Sequence, residues 1–255
     1  MRKGSIYIFG NWKMHMTRGA SVSFIRELLP QINTLFPVVG IAPPFTSIEV
    51  AAQAAKGSRL LIGAQNISGF PGGAHTGEIS ALMLQDVGAQ FVLIGHSERR
   101  VECHETDLMI RQKIGAALTA EIMPILCVGE REKDEGSETK EGVVIGQLGR
   151  ALLNLSSAEL KRSRLMIAYE PVWAIGSGES ATPEFVQGVH HRCRSFLFHH
   201  FGEDVANHLP LLYGGSVTSD NISQLISQPD VDGVLVGGGS LKVNSFVQII
   251  KNAKK

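Results

Sequence analysis

Eight short apolar runs punctuate the chain: SIYIF (5–9), VVGIA (38–42), LLIGA (60–64), FVLIG (91–95), MPILCV (123–128), RLMIAY (164–169), LPLLY (209–213) and DGVLVG (232–237). They are rich in β-branched residues and largely continuous, as expected of parallel strands covered on both faces. Between them the apolar spacing becomes helical. The best-marked helix starts at TPEF. Thr182 fits an N-cap, Pro183 the first helical position and Glu184 the positive helix end. Phe185, Val189, Cys193, Phe196 and Leu197 then form its predicted buried stripe. TSIEVAAQAAK, ETDLMIRQKIGAALTAE and TSDNISQLISQ read similarly. No linker-like tract divides the chain, and the charged run GEREKDEGSETKEG (129–142) reads as a solvated loop.

Eight strands alternating with roughly eight helices predict an α/β fold: one closed (β/α)8 barrel domain over residues 1–255. The competing arrangement is an open doubly wound sheet. GSGESA (176–181) matches the G-x-G-x-x-A pattern of dinucleotide folds, but the acid expected about 20 residues later falls within FLFHHF.

Composition narrows the partners. The formal net charge is zero, which argues against a nucleic-acid or membrane-surface protein. No apolar run approaches the roughly 18–20 residues of a membrane span. Cys103, Cys127 and Cys193 are odd in number and form no CxxC pair, and MRKGSIYIFGNWKMH has no evident cleavage site. A cytoplasmic protein is therefore expected.

The active site of such a barrel forms at the C-terminal ends of its strands. Those ends supply Asn11 and Lys13 (GNWKMH), His96 (GHSERR) and Glu170 (AYEPVW), with the glycine turns YGGSV and VGGGSL beside them. If the chain stays extended, Asn11 and Lys13 point to the same side. His96 would start a short helix, whose positive end favours a neutral imidazole. Glycine turns let backbone N–H groups approach an anion closely, so Gly176, Ser216, Gly237 and Gly238 are candidate phosphate donors. His190, His191, His199 and His200 cannot share an ion, because helical positions nine apart are separated by about 13 Å. No metal and no cofactor are expected.

These motifs resemble the triosephosphate isomerase family. GNWKMH, IGHSERR, AYEPVWAIGSG, YGGSV and GVLVGGGSL occur in the family's order, and the resemblance runs from about Ser5 to the last helix. It implies interconversion of dihydroxyacetone phosphate and D-glyceraldehyde 3-phosphate. It also implies Glu170 as base, His96 as the group polarising the carbonyl, Lys13 and Asn11 as enediolate stabilisers, and Glu98 as a partner of the lysine region. The family is itself the standard example of such tuned acid–base chemistry. Pro171, Val172 and Trp173 would be the stiff hinge of a lid. Ala174, Ile175, Gly176, Ser177 and Gly178 would form its tip, in a family that exemplifies lid gating.

The loop NISGFPGGAHTGE (66–78) would insert into a twin subunit, making a homodimer. The resemblance implies that Thr76 reaches towards the neighbour's Asn–Lys pair and that Gln65 and Arg99 help hold that interface and loop. Three positions depart from the family pattern. His75 stands where an aromatic residue is usual, Ser177 replaces a commoner threonine, and Gly239 replaces a usual alanine. Other sugar-phosphate barrels, such as an epimerase or aldolase, and a catalytically dead phosphate-binding protein are the competing readings.

Overall fold

A computed structural model describes residues 5–130, 140–174 and 181–254. All eight apolar runs are strands: β1 (Tyr7–Asn11), β2 (Val38–Ala42), β3 (Leu61–Ala64), β4 (Phe91–Ile94), β5 (Met123–Val128), β6 (Met166–Tyr169), β7 (Leu211–Tyr213) and β8 (Gly233–Val236). Each pairs in parallel with the next, and β8 returns to β1, Tyr7 facing both Val38 and Gly233. The barrel is closed, so the open doubly wound alternative is excluded.

Eleven α-helices occur among the described residues: α1 (Arg18–Ile32), α2 (Ile48–Ala55), α3 (Ala81–Asp86), α4 (Ser97–Glu102), α5 (Asp107–Thr119), α6 (Lys140–Leu152), α7 (Ser157–Arg162), α8 (Pro183–Phe201), α9 (Glu203–His208), α10 (Ile222–Ile226) and α11 (Val243–Asn252). The excess over eight arises where one connection carries two helices. His104 (φ 53°) lies between α4 and α5, and Gly202 (φ 89°) between α8 and α9, and such left-handed residues end a helix.

Two apolar layers hold the barrel. Inside it, Phe9 and Phe91 meet edge to face at 4.8 Å, among Met123, Ile125, Met166 and Leu212. Gly40 and Gly63 leave room for them, since an added Cβ would stand 2.5 Å from Phe9 and 2.6 Å from Phe91. The larger layer lies between strands and helices, and includes Trp12, Phe24, Ile41, Tyr169 and Phe246.

Helix α8 starts as its signals require, with the Thr182 side chain accepting from Phe185 N–H at 3.2 Å. Its buried face is Val186, Val189, His190, Cys193, Arg194 and Leu197. The predicted stripe is thus wrong at Phe185, which is exposed and packs on Trp173, only half-buried at Phe196, and incomplete because it left out Val186 and two polar residues. Arg194 buries its charge by donating to Asp232 (2.7 Å), Asp230 (3.3 Å) and the carbonyls of Ala206 and Leu209 (both 2.6 Å).

Candidate active site

Strand β1 delivers Asn11 to the barrel mouth and then turns. Lys13 has a left-handed backbone (φ 49°), so the chain is not extended there and the condition for Asn11 and Lys13 to point to one side is not met. The Asn11 carboxamide supports the turn by accepting from Lys13 N–H at 3.0 Å. Gln65 donates its amide to the carbonyls of Lys13 (2.8 Å) and Ala42 (2.9 Å), holding the turn from β3. Left-handed backbone costs a non-glycine residue roughly 1–2 kcal/mol, so these contacts offset strain that aims the lysine. Its Nζ meets Glu98 Oε1 at 2.6 Å, the lysine contact foreseen for Glu98.

His96 caps α4. Its Nδ1 accepts from Glu98 N–H at 3.3 Å, so that nitrogen is unprotonated and the proton of the neutral ring sits on Nε2. Nε2 then donates to Glu170 Oε1 at 3.1 Å, while Ser97 N–H donates to Glu170 Oε2 at 3.1 Å. Burial by itself lowers the His96 pKa, but the adjacent Glu170 carboxylate, its hydrogen bond and Glu98 outweigh it, and the net shift is upward. The α4 helix end favours a neutral ring, and the Glu170 carboxylate acts against it. The ring is neutral in its hydrogen bonding and becomes easier to protonate while Glu170 faces it.

One cavity of about 590 Å³ gathers the candidates. Asn11, Lys13, His96, Glu170, Ser216, Gly237 and Gly238 all line it. The volume suits a small ligand. Around Gly238 no atom lies within 4 Å of where a Cβ would stand, so its backbone is open to approach. Asn221 Nδ2 pins the Ser216 carbonyl at 2.9 Å. After β8 a 3₁₀ turn, Gly238–Ser240, begins at once, but α10 starts well beyond Ser216. After β7 the turn itself is therefore what offers backbone donors near Ser216.

The expected hinge begins as a buried Pro171 followed by a 3₁₀ turn, Val172–Ala174. Trp173 Nε1 donates to Glu130 Oε1 at 2.8 Å, and the Tyr169 hydroxyl donates to the same oxygen at 2.9 Å. Burial, then the Glu130 carboxylate, push the Tyr169 pKa up, keeping the phenol a donor. Glu130 is only 1% exposed, which corrects the solvated-loop reading at the start of 129–142. It stands two residues past the end of β5, much as Glu170 stands one past β6, and that position was the overlooked signal. Ile175, Gly176, Ser177 and Gly178 lie outside the described residues, and with them the expected Gly176 phosphate contact.

In the loop 66–78, Thr76 is exposed and His75 stacks flat on Phe70, with ring centroids 3.9 Å apart. The histidine thus packs flat against an aromatic ring of its own loop. Arg99 reaches Glu105 at 2.5 Å, and Lys113 joins Glu105 to Asn66 Oδ1, the latter at 2.8 Å. Arg99 therefore braces the loop's base within its own chain. Among the described residues no group of three or more His, Cys, Asp or Glu could hold a metal, and no helix is long and apolar enough to cross a membrane.

Comparison with known proteins agrees with this geometry. The family model described as triosephosphate isomerase matches residues 6–253. The triosephosphate isomerase of Carboxydothermus hydrogenoformans is 44% identical over 248 residues, covering 97% of this chain and 98% of the relative. That of Protochlamydia amoebophila is 42% identical over 247 residues, covering 97% and 93%. That of Roseiflexus sp. (strain RS-1) is 43% identical over 242 residues, covering 94% of each. With a closed barrel whose mouth gathers a carboxylate, a histidine, a lysine and two glycine turns, the chain belongs to the triosephosphate isomerase family.

Proposed function

We propose that this chain, acting as one barrel domain over residues 1–255, interconverts dihydroxyacetone phosphate and D-glyceraldehyde 3-phosphate. The observation that carries the reading is the single cavity lined by Glu170, His96, Lys13, Asn11 and the turns after β7 and β8. Substrate phosphate is held by backbone N–H groups of Gly176, Ser216, Gly237 and Gly238, which fixes the triose against the side chains. Glu170 turns from His96 and removes a proton from the carbon beside the carbonyl. The C–H electron pair becomes the enediolate double bond, and the carbonyl pair moves onto oxygen. Lys13, Asn11 and the His96 N–H stabilise that oxygen, where charge develops. Glu170 returns the proton to the neighbouring carbon, and His96 moves a proton between the two oxygens. Turning Glu170 away removes the main cause that raises the His96 pKa. Burial and Lys13, which lower it, then favour the neutral donor ring. Glu98 holds Lys13 in reach, and closure over the site from the Pro171–Ala174 hinge excludes water. The reaction as read uses no metal and no cofactor.

The same reading makes the enzyme a cytoplasmic homodimer, paired through 66–78 with Thr76 at the partner's site. Free Cys103, Cys127 and Cys193 accord with a reducing compartment. Exposed Phe70 on that loop, with exposed Leu82 and Met83 on α3 just after it, accords with a contact face. Sedimentation at micromolar concentration tests the dimer, and a monomer there contradicts it. For the chemistry, the purified chain is assayed for isomerisation of D-glyceraldehyde 3-phosphate with chelator present, beside Glu170→Gln. The reading expects rapid chelator-resistant turnover and a loss of about 10²–10⁴-fold in kcat in the variant. Full activity in Glu170→Gln removes the base from the scheme.

A further inference from the structure

Strand β5 outruns one of its neighbours. β4 pairs with it only as far as Ile94 opposite Leu126, then turns away into α4. On the other side the ladder continues: Glu170 N–H donates to Val128 O at 2.8 Å, and Val172 N–H to Glu130 O at 3.1 Å. Because peptide groups alternate sides along a strand, those of Cys127 and Gly129 face the place β4 has left. Side chains fill it. Arg100 donates to the carbonyls of Gly95 (2.8 Å) and Cys127 (3.2 Å). Gln147 on α6 satisfies Gly129 twice, its Oε1 accepting from Gly129 N–H at 2.9 Å and its Nε2 donating to Gly129 O at 3.0 Å. One carboxamide offers the donor and acceptor that a neighbouring strand would have offered.

The peptide held this way lies against the candidate base. An added Cβ on Gly129 would stand 1.8 Å from the Glu170 carbonyl oxygen, so the two backbones are in direct contact and only glycine fits. The next residue, Glu130, holds both Tyr169 and Trp173. We propose that Gln147 is a positioning residue for the isomerisation. By completing the open edge of β5 it fixes the 129–130 backbone, against which the Glu170 base and the Trp173 hinge are both set. It touches neither substrate nor reacting atoms. The inference rests on Glu170 being the base.

Two folded variants test it. Gln147→Glu keeps shape and acceptor but loses the donor, and Gln147→Met keeps bulk and loses both bonds. Displacement of a catalytic group by about 1 Å costs up to about 10²-fold. The expected order of kcat is wild type, then Glu, then Met, with Met on the order of 10- to 100-fold down. KM should stay within about twofold, because the phosphate turns are untouched. Proton abstraction becomes slower, so the isotope effect with substrate deuterated at the abstracted position should rise with the loss of kcat. Trp173 emission should shift in the same order, as its Glu130 partner moves. A purely structural role would lower the melting temperature while leaving kcat per folded enzyme, KM and emission at wild-type values, and that result overturns the proposal. If Gln147→Met fails to fold, Gln147→Glu decides alone. Glu170→Gln in the same assay separates the two claims: activity retained there sinks the base, whereas loss there with none at Gln147 sinks only the positioning role.

Discussion

His96 at the barrel mouth and His190 behind the barrel wall on α8 are both dry, at 6% and 1% exposed. Yet the His96 pKa is raised, whereas burial pushes that of His190 down to about 4. His190 Nδ1 donates to the Asp230 carbonyl at 3.1 Å, and its Nε2 has no hydrogen-bond partner among the described residues. Carboxylates stand near both rings, but around His190 they are engaged elsewhere. Arg194 occupies Asp230 and Asp232, and spends further N–H groups on backbone carbonyls. That cluster closes on itself. At the mouth the Glu170 carboxylate faces His96 directly and opens onto a 590 Å³ cavity. Equal burial therefore gives opposite titration, and the deciding factor is whether a carboxylate is left over for the ring. A cluster that satisfies itself holds the fold together, and one that leaves a group facing a cavity can do chemistry.

The largest effect is expected from opening the closed cluster. Arg194→Met leaves Asp232 and Asp230 buried without their cation, and should cost about 3–5 kcal/mol of unfolding free energy. Denaturant melts measure that loss, while kcat per folded molecule should stay near wild type.

Next comes pH. The folded pKa of His190, about 4, lies below the ordinary 6.5, so the unfolded chain binds the extra proton between those values. Stability is then fully present above pH 6.5 and falls as pH drops toward 4, by about 3 kcal/mol from this group. His96 has the opposite sign, its contribution being present below the ordinary histidine pKa and lost as pH rises through its raised folded value. His190→Asn, which keeps a donor for Asp230 O, should flatten the fall between pH 6.5 and 4 in melting curves. An unchanged slope would mean another group titrates there. Asp230 acts in a lower window. Burial raises its pKa, but Gln187, Arg194 and His191 outweigh it and the net shift is downward. Its contribution is lost only as pH falls below the ordinary carboxylate range, through its depressed folded value.

The smallest effect is expected at the half-exposed pair. Glu98→Gln removes the carboxylate charge from a 2.6 Å ion pair with Lys13, but both side chains meet water, at 43% and 28% exposed. Its stability change should be below about 1 kcal/mol, a sharp contrast with Arg194→Met in the same melts.

Much of this was legible in the sequence. Eight apolar runs identified eight strands, and the barrel rule turned their C-terminal ends into a site list of Asn11, Lys13, His96 and Glu170 that one cavity now gathers. What escaped reading depended on contacts distant in sequence. Glu130 looked solvated because its neighbours are charged, yet Tyr169 and Trp173 bury it. Arg194 and His190 are polar residues on a helix whose inward face was read from apolar residues alone, and their partners at Asp230 and Asp232 lie 36–40 positions away. The turn at Lys13 needs Gln65, 52 positions on. Gln147 carries no motif at all. Its place becomes visible only when β4 is seen to end before β5.

The central claim is that the Glu170 carboxylate carries a proton between adjacent carbons. It is tested most directly by running the isomerisation in D₂O to equilibrium and locating deuterium in the isolated product. A carboxylate that holds the proton exchanges it with solvent, so the account predicts deuterium on the carbon that gains hydrogen, formed by wild type and nearly absent with Glu170→Gln. Full conversion without solvent deuterium at that carbon even after many reversals, with Glu170→Gln as fast as wild type, would contradict the account, because a carboxylate shielded from water can return its own proton but cannot be dispensable.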